Sequence, residues 1–388
     1  MSALVIALML NNYLLGFLFA PDGNIEFPNS ALVIFFQFCL GIWGILVILT
    51  IGKNSKALSF LFGIALSVLI LFLTEFGIYL FQATVNSKNC KIEVPSMYVY
   101  DQNIGYRLKS NSMIHAKRII DGDTVFDVIY KINKDGRRIV PQDSIIQREK
   151  FLLMLGGSYV FGEGLNDNQT TSYYLQSRLE DYEVYNFGLG GYGTNQVHAL
   201  LHTDSLGKEI TQNSGFGIYV FMDDHVYRNI GSMSHYNLWG KNMPYYFLKG
   251  DSLMRAGSFT TGRKFRSFIY NFLGKSYLLK VFHFDWPSEV GAEDIRLTAR
   301  LIEASAKEFK RQFPQGRFVV VFYPGSVFSS SLIKILEEDA VGIVLLDYLK
   351  LFDRSNQKYI IRLDEHPSPL ANEVLSQNLI KDLELVNN

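Results

Sequence analysis

Two short segments of this 388-residue chain carry the residue types that acyl transfer through a serine ester requires. The first reads Leu155-Gly-Gly-Ser158-Tyr-Val-Phe-Gly162, and the second, close to the C-terminus, reads Asp364-Glu-His366-Pro-Ser-Pro369. A serine hydroxyl becomes an effective nucleophile when a base takes its proton, and an imidazole serves as that base when a carboxylate fixes its tautomer. Ser158, His366 and Asp364 can fill these three roles.

Spacing supports the assignment on each side. Ser158 directly follows an apolar run, 151–155, with Gly156 and Gly157 before it and Gly162 and Gly164 after it. Glycines permit a sharp turn and let backbone N–H groups approach an oxyanion. The segment is not a nucleophile elbow, because Gly-x-Ser-x-Gly needs glycine where Val160 stands. Asp364 and His366 are two apart, so in extended backbone their side chains point to one side. Ser368 then reads as a helix N-cap with Pro369 at the first helical position, opening a helix to about residue 386. The bland alternatives are a Gly-Ser loop that merely turns and a surface Asp-x-His without a role.

The elements that would position these residues begin at about residue 150. Apolar strands are expected at 151–155, 182–187, 216–222, 317–323 and 341–346, with helical stretches between several of them, notably 293–313. Continuous apolar strands alternating with helices predict a parallel sheet covered on both faces, with ligands outside the C-terminal strand ends. Residues 228–287, rich in aromatics and Lys/Arg, read as an insertion: a helix packed by its apolar face, or one lying on a membrane surface. Within 84–149, alternation such as Thr124-Val-Phe-Asp-Val-Ile-Tyr-Lys131 between Asp-Gly turns predicts β-hairpins that serve as spacer, lid or carbohydrate contact.

Residues 2–82 hold almost no charge and contain three apolar runs, 3–20, 31–51 and 58–81, each near the roughly 20 residues of a membrane-spanning helix. Asn11 and Asn12 inside the first run would have to face other helices. A signal peptide would need a basic leading segment and a small-x-small cleavage pattern, which this run lacks. Lys53 and Lys56 lie between the second and third runs, whereas Asp22 and Glu26 lie between the first and second. The positive-inside rule then places the N-terminus in the cytoplasm and residues beyond 83 outside it, as in a multi-pass protein of a bacterial inner membrane with a periplasmic domain. With 37 basic and 37 acidic residues and no basic run, nucleic acid is not an expected partner. Cys39 falls in the second run and Cys90 beyond the third, so no internal disulfide is expected.

Three further motifs compete for attention. Gly188-Leu-Gly-Gly-Tyr-Gly193 fits a dinucleotide fingerprint, but it follows the second expected strand and leaves Ser158, Asp364 and His366 unexplained. His198 and His202 are four apart with no third ligand in view, so neither a metal nor any other cofactor is expected. Asp224, His225 and Arg228 are candidates to line the cleft.

Gly156-Gly-Ser158 with Gly162 resembles block I of the SGNH (GDSL-like) hydrolases, and Asp364-Glu-His366-Pro-Ser-Pro369 resembles their terminal Asp/His block. Asn186-Phe-Gly-Leu-Gly-Gly191-Tyr is similar to block II, and Phe221-Met-Asp223-Asp224-His-Val stands at block III. The resemblance covers about residues 150–383 and implies a three-layer α/β/α, flavodoxin-like domain. It also implies oxyanion donors at Ser158, at Gly191 and at the block III position, here Asp223. Two departures stand out. Gly157 replaces the usual aspartate of block I, and Asp223 replaces the asparagine of block III. An ionised carboxylate would repel an oxyanion, so Asp223 must be protonated, be turned away, or leave the hole to the Ser158 and Gly191 amides.

The implied activity is that of a serine esterase or O-acyltransferase acting on an acylated envelope glycan, with acetyl as the commonest group. Lipid esters are the second substrate class, and a membrane acyl-donor protein is a candidate partner. A different class also fits: a degenerate glycan-binding scaffold of an envelope polysaccharide or export assembly. Asp223 favours the scaffold, and the complete Ser158, Asp364 and His366 set argues against it.

Overall fold

A computed structural model describes residues 56–85, 90–93, 96–142, 147–203, 206–339 and 342–386. The described chain divides into two compact units, one from Met1–Lys88 and Phe268–Ser288, the other from Asn89–Ser267 and Glu289–Asn388.

In the larger unit, strands β1 (Cys90–Glu93), β2 (Tyr98–Asp101), β3 (Gly105–Leu108), β4 (Ser112–Ile120) and β5 (Asp123–Ile132) precede β6 (Lys150–Gly156), β7 (Tyr182–Gly188) and β8 (Ser214–Phe221). A hairpin of β9 (Pro244–Lys249) and β10 (Ser252–Ser258) follows, then β11 (Arg317–Phe322) and β12 (Ile343–Asp347). The central sheet runs β12-β11-β8-β6-β7, parallel throughout, which is the flavodoxin-like order 2-1-3-4-5. All five expected strands are present with their ends moved by a residue or two.

These strands are apolar at consecutive positions because both faces are covered. Phe151, Leu153 and Leu155 of β6 pack into one core with Val197 and Leu201 of helix Thr194–His202 and Ala299 and Ile302 of helix Ala292–Gln312. Leu152 and Met154 enter the opposite core with Leu175 of helix Thr171–Gln176 and Leu375 and Leu379 of helix Pro369–Asp382. One-residue alternation along β6 thus feeds two layers of helices.

The β-rich segment departs from the expected domain boundary at 149/150, because it belongs to the same compact unit as the parallel sheet. Asp121 and Gly122 both take positive φ in the tight turn between β4 and β5, as the Asp-Gly signal predicts. Phe126 and Tyr130 of β5 then share a core with Phe161, Leu189 and Tyr192 of the parallel-sheet domain. Buried Arg138 locks the two together: Nε donates to Asp167 at 2.9 Å, Nη1 to the carbonyls of Phe161 and Gly162, and Nη2 to that of Leu165.

In the smaller unit, helix Lys56–Val85 realises the third apolar run. Its Glu75 carboxylate accepts from Ser276 Oγ, from the Tyr277 amide at 2.6 Å and from the Leu278 amide at 3.3 Å, where an anion suits the start of helix Tyr277–Val281. Taken over the described residues alone, no helix is long and apolar enough to cross a membrane. The runs 3–20 and 31–51, and several side chains of the third, lie outside those residues.

Helix Lys264–Leu273, within the expected insertion, does not pack by its phenylalanines. Phe265, Phe268 and Phe272 are 78%, 69% and 73% exposed, while Ser267 and Tyr270 form the buried side.

Candidate active site

Ser158 sits at the C-terminal end of β6, as the first residue of the short helix Ser158–Phe161. The turn before it needs glycine. Gly156 has φ +155°, and a Cβ there would lie 2.7 Å from Val160 Cγ2. Asn186 ties this turn to the next strand, its Nδ2 donating to Val160 O at 2.9 Å and its Oδ1 accepting from the Gly188 amide at 3.0 Å. β8 ends beside β6, so Ser158 lies at the point where the strand order reverses, where such folds hold ligands.

Gly191 follows β7 with φ +81°, and Tyr106 and Trp239 close on it so tightly that a Cβ would meet Tyr106 Oη at 2.5 Å. Tyr106 also donates to Gly190 O at 2.8 Å, and Trp239 Nε1 to Gly191 O at 3.3 Å. The loop that resembles a dinucleotide fingerprint is thus pinned by aromatic side chains.

Asp364 and His366 come from the loop before helix Pro369–Asp382, where Ser368 caps as expected, accepting from the Ala371 amide; the helix ends at Asp382, a few residues short of the expected 386. His366 Nδ1 is hydrogen-bonded to Asp364 Oδ1. Arg118 of β4 donates to the other oxygen, Oδ2, and the Asp364 side chain is only 1% exposed. Near His366 Nε2 lies Glu163 Oε2, at 3.7 Å. Burial works against the imidazolium, but the Asp364 bond and the charges of Glu163 and Asp364 outweigh it, so the His366 pKa is raised above its usual value despite Arg118. Burial likewise opposes the Asp364 carboxylate, and His366 and Arg118 together hold its pKa below the ordinary range.

Ser158, Glu163, Gly191, Asp224, Arg228, Asp364 and His366 line one cavity of about 630 Å³, with Tyr98, Tyr100, Tyr106, Tyr159 and Trp239 among its other walls. Among the described residues, no hydrogen bond joins Ser158 to His366. Such contacts are often long before substrate binds and tighten with it. Arg118, Glu163 and the aromatic wall were not foreseen, and only the unassigned β-hairpins of the sequence hinted at an extra wall.

Asp223 is not among the residues that line this cavity, which fits the turned-away alternative for it. Its carboxylate turns away from Ser158 and accepts from Ser326 Oγ, from the Val327 amide at 2.6 Å and from the Phe328 amide at 3.1 Å. Three donors after β11 outcompete the cavity. Asp224, one residue on, does face the cavity, where it accepts from Arg228 Nη2 at 3.1 Å.

His225 is fully buried, at the end of a run of hydrogen-bonded polar side chains. Asn229 Oδ1 accepts from the Asn195 amide, so Nδ2 donates to Thr298 Oγ1 and to Thr194 Oγ1, each at 3.0 Å. Thr194 Oγ1 and Tyr219 Oη share a hydrogen bond at 2.8 Å, and Tyr219 Oη is hydrogen-bonded to His225 Nδ1 at 2.6 Å. Burial and then the Arg228 charge push the His225 pKa well below its usual value.

His198 packs against Tyr246, and burial lowers its pKa to about 4, whereas His202 bonds Glu308 at 3.1 Å. Among the described residues, no group of three or more His, Cys, Asp or Glu side chains could hold a metal ion.

No protein-family model matches the chain, and no curated protein sequence is similar to it. Among solved structures, the chain is similar to an alpha/beta hydrolase enzyme from the metagenome of Lake Arreo, with 12% identity over 63% of this chain and 99% of that one and a TM-score of 0.36. It is similar to a member of the lipolytic protein G-D-S-L family from Veillonella parvula, with 8% identity over 61% and 100% and a TM-score of 0.33. An acetyl xylan esterase from the rumen bacterium Butyrivibrio proteoclasticus shares 10% identity over 77% of this chain and 85% of its own, with a TM-score of 0.34.

Proposed function

We propose that this protein is a serine esterase or O-acyltransferase of carboxylic esters, with Ser158 as nucleophile, His366 as general base and acid, and Asp364 as the group that orients His366. The observation that carries this is the meeting in one cavity of Ser158 with a His366 whose Nδ1 is already held by a buried carboxylate. Ser158 Oγ attacks the ester carbonyl and gives its proton to His366 Nε2. The Ser158 and Gly191 amides receive the oxyanion, and His366 returns the proton to the departing alcohol. Water or a sugar hydroxyl then takes the acyl group by the same steps in reverse.

An acylated glycan, with acetyl as the favoured group, is the substrate class supported by the aromatic wall of Tyr98, Tyr100, Tyr106 and Trp239 together with the SGNH-like motifs. A lipid ester is the lesser alternative. Anchorage by three spans with the site outside the cytoplasm, and an acyl-donor partner in the membrane, belong to the same proposal. The apolar runs, the position of Lys53 and Lys56, and the outward Phe60, Ile64, Val68 and Leu71 of helix Lys56–Val85 support the anchorage.

A glycan-binding scaffold without turnover is the second reading, favoured by the turned-away Asp223. Labelling of the purified protein with a fluorophosphonate probe separates the two. Labelling lost in both Ser158→Ala and His366→Ala supports the enzyme, and a folded wild type that takes no label leaves the scaffold.

A further inference from the structure

Gly157 precedes the nucleophile, and side-chain nitrogens occupy the space beside its missing side chain. A Cβ at Gly157 would lie 2.9 Å from Arg228 Nη1, 3.1 Å from His225 Nε2 and 3.2 Å from Tyr192 O. Arg228 Nη1 donates to that same Tyr192 carbonyl at 2.8 Å, and Tyr192 directly follows Gly191. The guanidinium is therefore bonded to the loop that carries the Gly191 amide and lies beside Gly157 of the loop that carries the Ser158 amide. Asp224 steadies its other arm through Nη2.

A guanidinium has five N–H groups. Among the described residues, Tyr192 O and Asp224 Oδ2 take one each, and Nε has no partner. Arg228 is 5% exposed yet lines the cavity with Ser158, Gly191 and His366. A buried cation with unspent donors is costly unless an arriving acceptor offsets the loss of water. His225 adds to the polarity of this corner, since its buried Nε2 has no partner among the described residues.

Resting on the esterase reading above, we propose that Arg228 is a catalytic residue, the side-chain donor of the oxyanion hole in the place Asp223 has vacated. As the Ser158 Oγ–carbon bond forms, the carbonyl π pair moves onto oxygen, the hydroxyl proton passes to His366, and the guanidinium donates a hydrogen bond to the new oxyanion. When the bond to the alcohol breaks, the pair returns to the carbonyl, the alcohol takes the proton from His366, and Arg228 is unchanged.

The test is steady-state hydrolysis of a neutral ester, p-nitrophenyl acetate, by the full-length protein, with fluorophosphonate labelling and thermal melts alongside. Arg228→Gln should lower kcat by about 10²–10³-fold with KM nearly unchanged, the usual result of removing one oxyanion donor. Arg228→Ala should regain rate when guanidinium chloride is added at millimolar concentration, well below denaturing levels. If Arg228→Gln loses its cooperative melt, Arg228→Lys carries the same reading, through a lower kcat at unchanged KM. An active wild type whose kcat survives these substitutions overturns the role of Arg228 and leaves the esterase standing. So does an effect confined to KM, or to esters that carry a carboxylate, which would make Arg228 a substrate-anion contact. A wild type that neither hydrolyses the ester nor takes the label overturns both.

Discussion

Arg118, on strand β4, and His366 divide the Asp364 carboxylate between them, the arginine on Oδ2 and the imidazole on Oδ1. A strand of the β-rich segment therefore reaches the group that orients the candidate base. Arg118 opposes the imidazolium, since its positive charge lowers the His366 pKa that Asp364 and Glu163 raise. In Arg118→Ala that opposition is gone. The His366 pKa rises, and because only neutral His366 can accept the Ser158 proton, the acid limb of kcat/KM moves to higher pH. Arg118→Lys should bring it back. A limb that stays in place in Arg118→Ala would mean that Arg118 only braces the hairpin.

Glu163 should act with the opposite sign. Its carboxylate stands 3.7 Å from His366 Nε2 and favours the protonated ring. Glu163→Gln removes that charge while keeping the shape, so the His366 pKa falls and more neutral base is present at a given acidic pH. The acid limb should move to lower pH, and activity on its slope should rise. A limb displaced upward, or not at all, in a pH profile of Glu163→Gln would rule out this coupling.

The parallel sheet was legible because its strands are continuous apolar runs with helices between them, a pattern that only a doubly covered sheet explains. That Ser158, Asp364 and His366 line one cavity was legible in local signals: glycines around the first, spacing and the Ser368-Pro369 helix start around the others. The direction of Asp223 was not legible, because position along the chain says which strand end a residue follows but not where its side chain turns. The competing donors, Ser326, Val327 and Phe328, lie more than a hundred residues later. Arg118 was equally hidden, since it meets Asp364 only through a register of β4 against β5 and a loop near the C-terminus. Long-range partners of this kind leave no local spacing to read.

Arg138 should be among the most costly side chains to remove. It spends Nε on Asp167 and both terminal nitrogens on three carbonyls around the nucleophile helix, and its guanidinium lies over the rings of Tyr130 and Phe161 at 4.6 and 4.9 Å. Arg138→Met would leave the Asp167 carboxylate and the Leu165 carbonyl without their donor among the described residues and strip one donor each from the Phe161 and Gly162 carbonyls. Breaking a buried pair on one side costs about 3–5 kcal/mol. Urea unfolding should show a loss of this size, and Arg138→Lys should recover little of it, because an ammonium cannot span the same acceptors. A loss below about 1 kcal/mol, the worth of an ordinary hydrogen bond, would contradict the bridging role.

Asp223 should matter for stability and not for rate. Its carboxylate ties the end of β8 to the segment before helix Ser329–Asp339, and hydrogen bonds to a charged group contribute about 1.5–3 kcal/mol. Asp223→Ala should lose stability on that scale while kcat for a small ester stays within about threefold of wild type. Asp223→Asn is the more pointed variant, because it restores the residue that the block III resemblance calls for. In Asp223→Asn the amide oxygen can still accept from Ser326 Oγ and the Phe328 amide, while the NH2 loses the Val327 bond. The remaining bonds keep the side chain from the oxyanion, so stability should fall and the rate should not rise. A tenfold or larger gain in kcat for Asp223→Asn, or an equal loss for a fully folded Asp223→Ala, would show that this side chain turns into the cavity during the reaction.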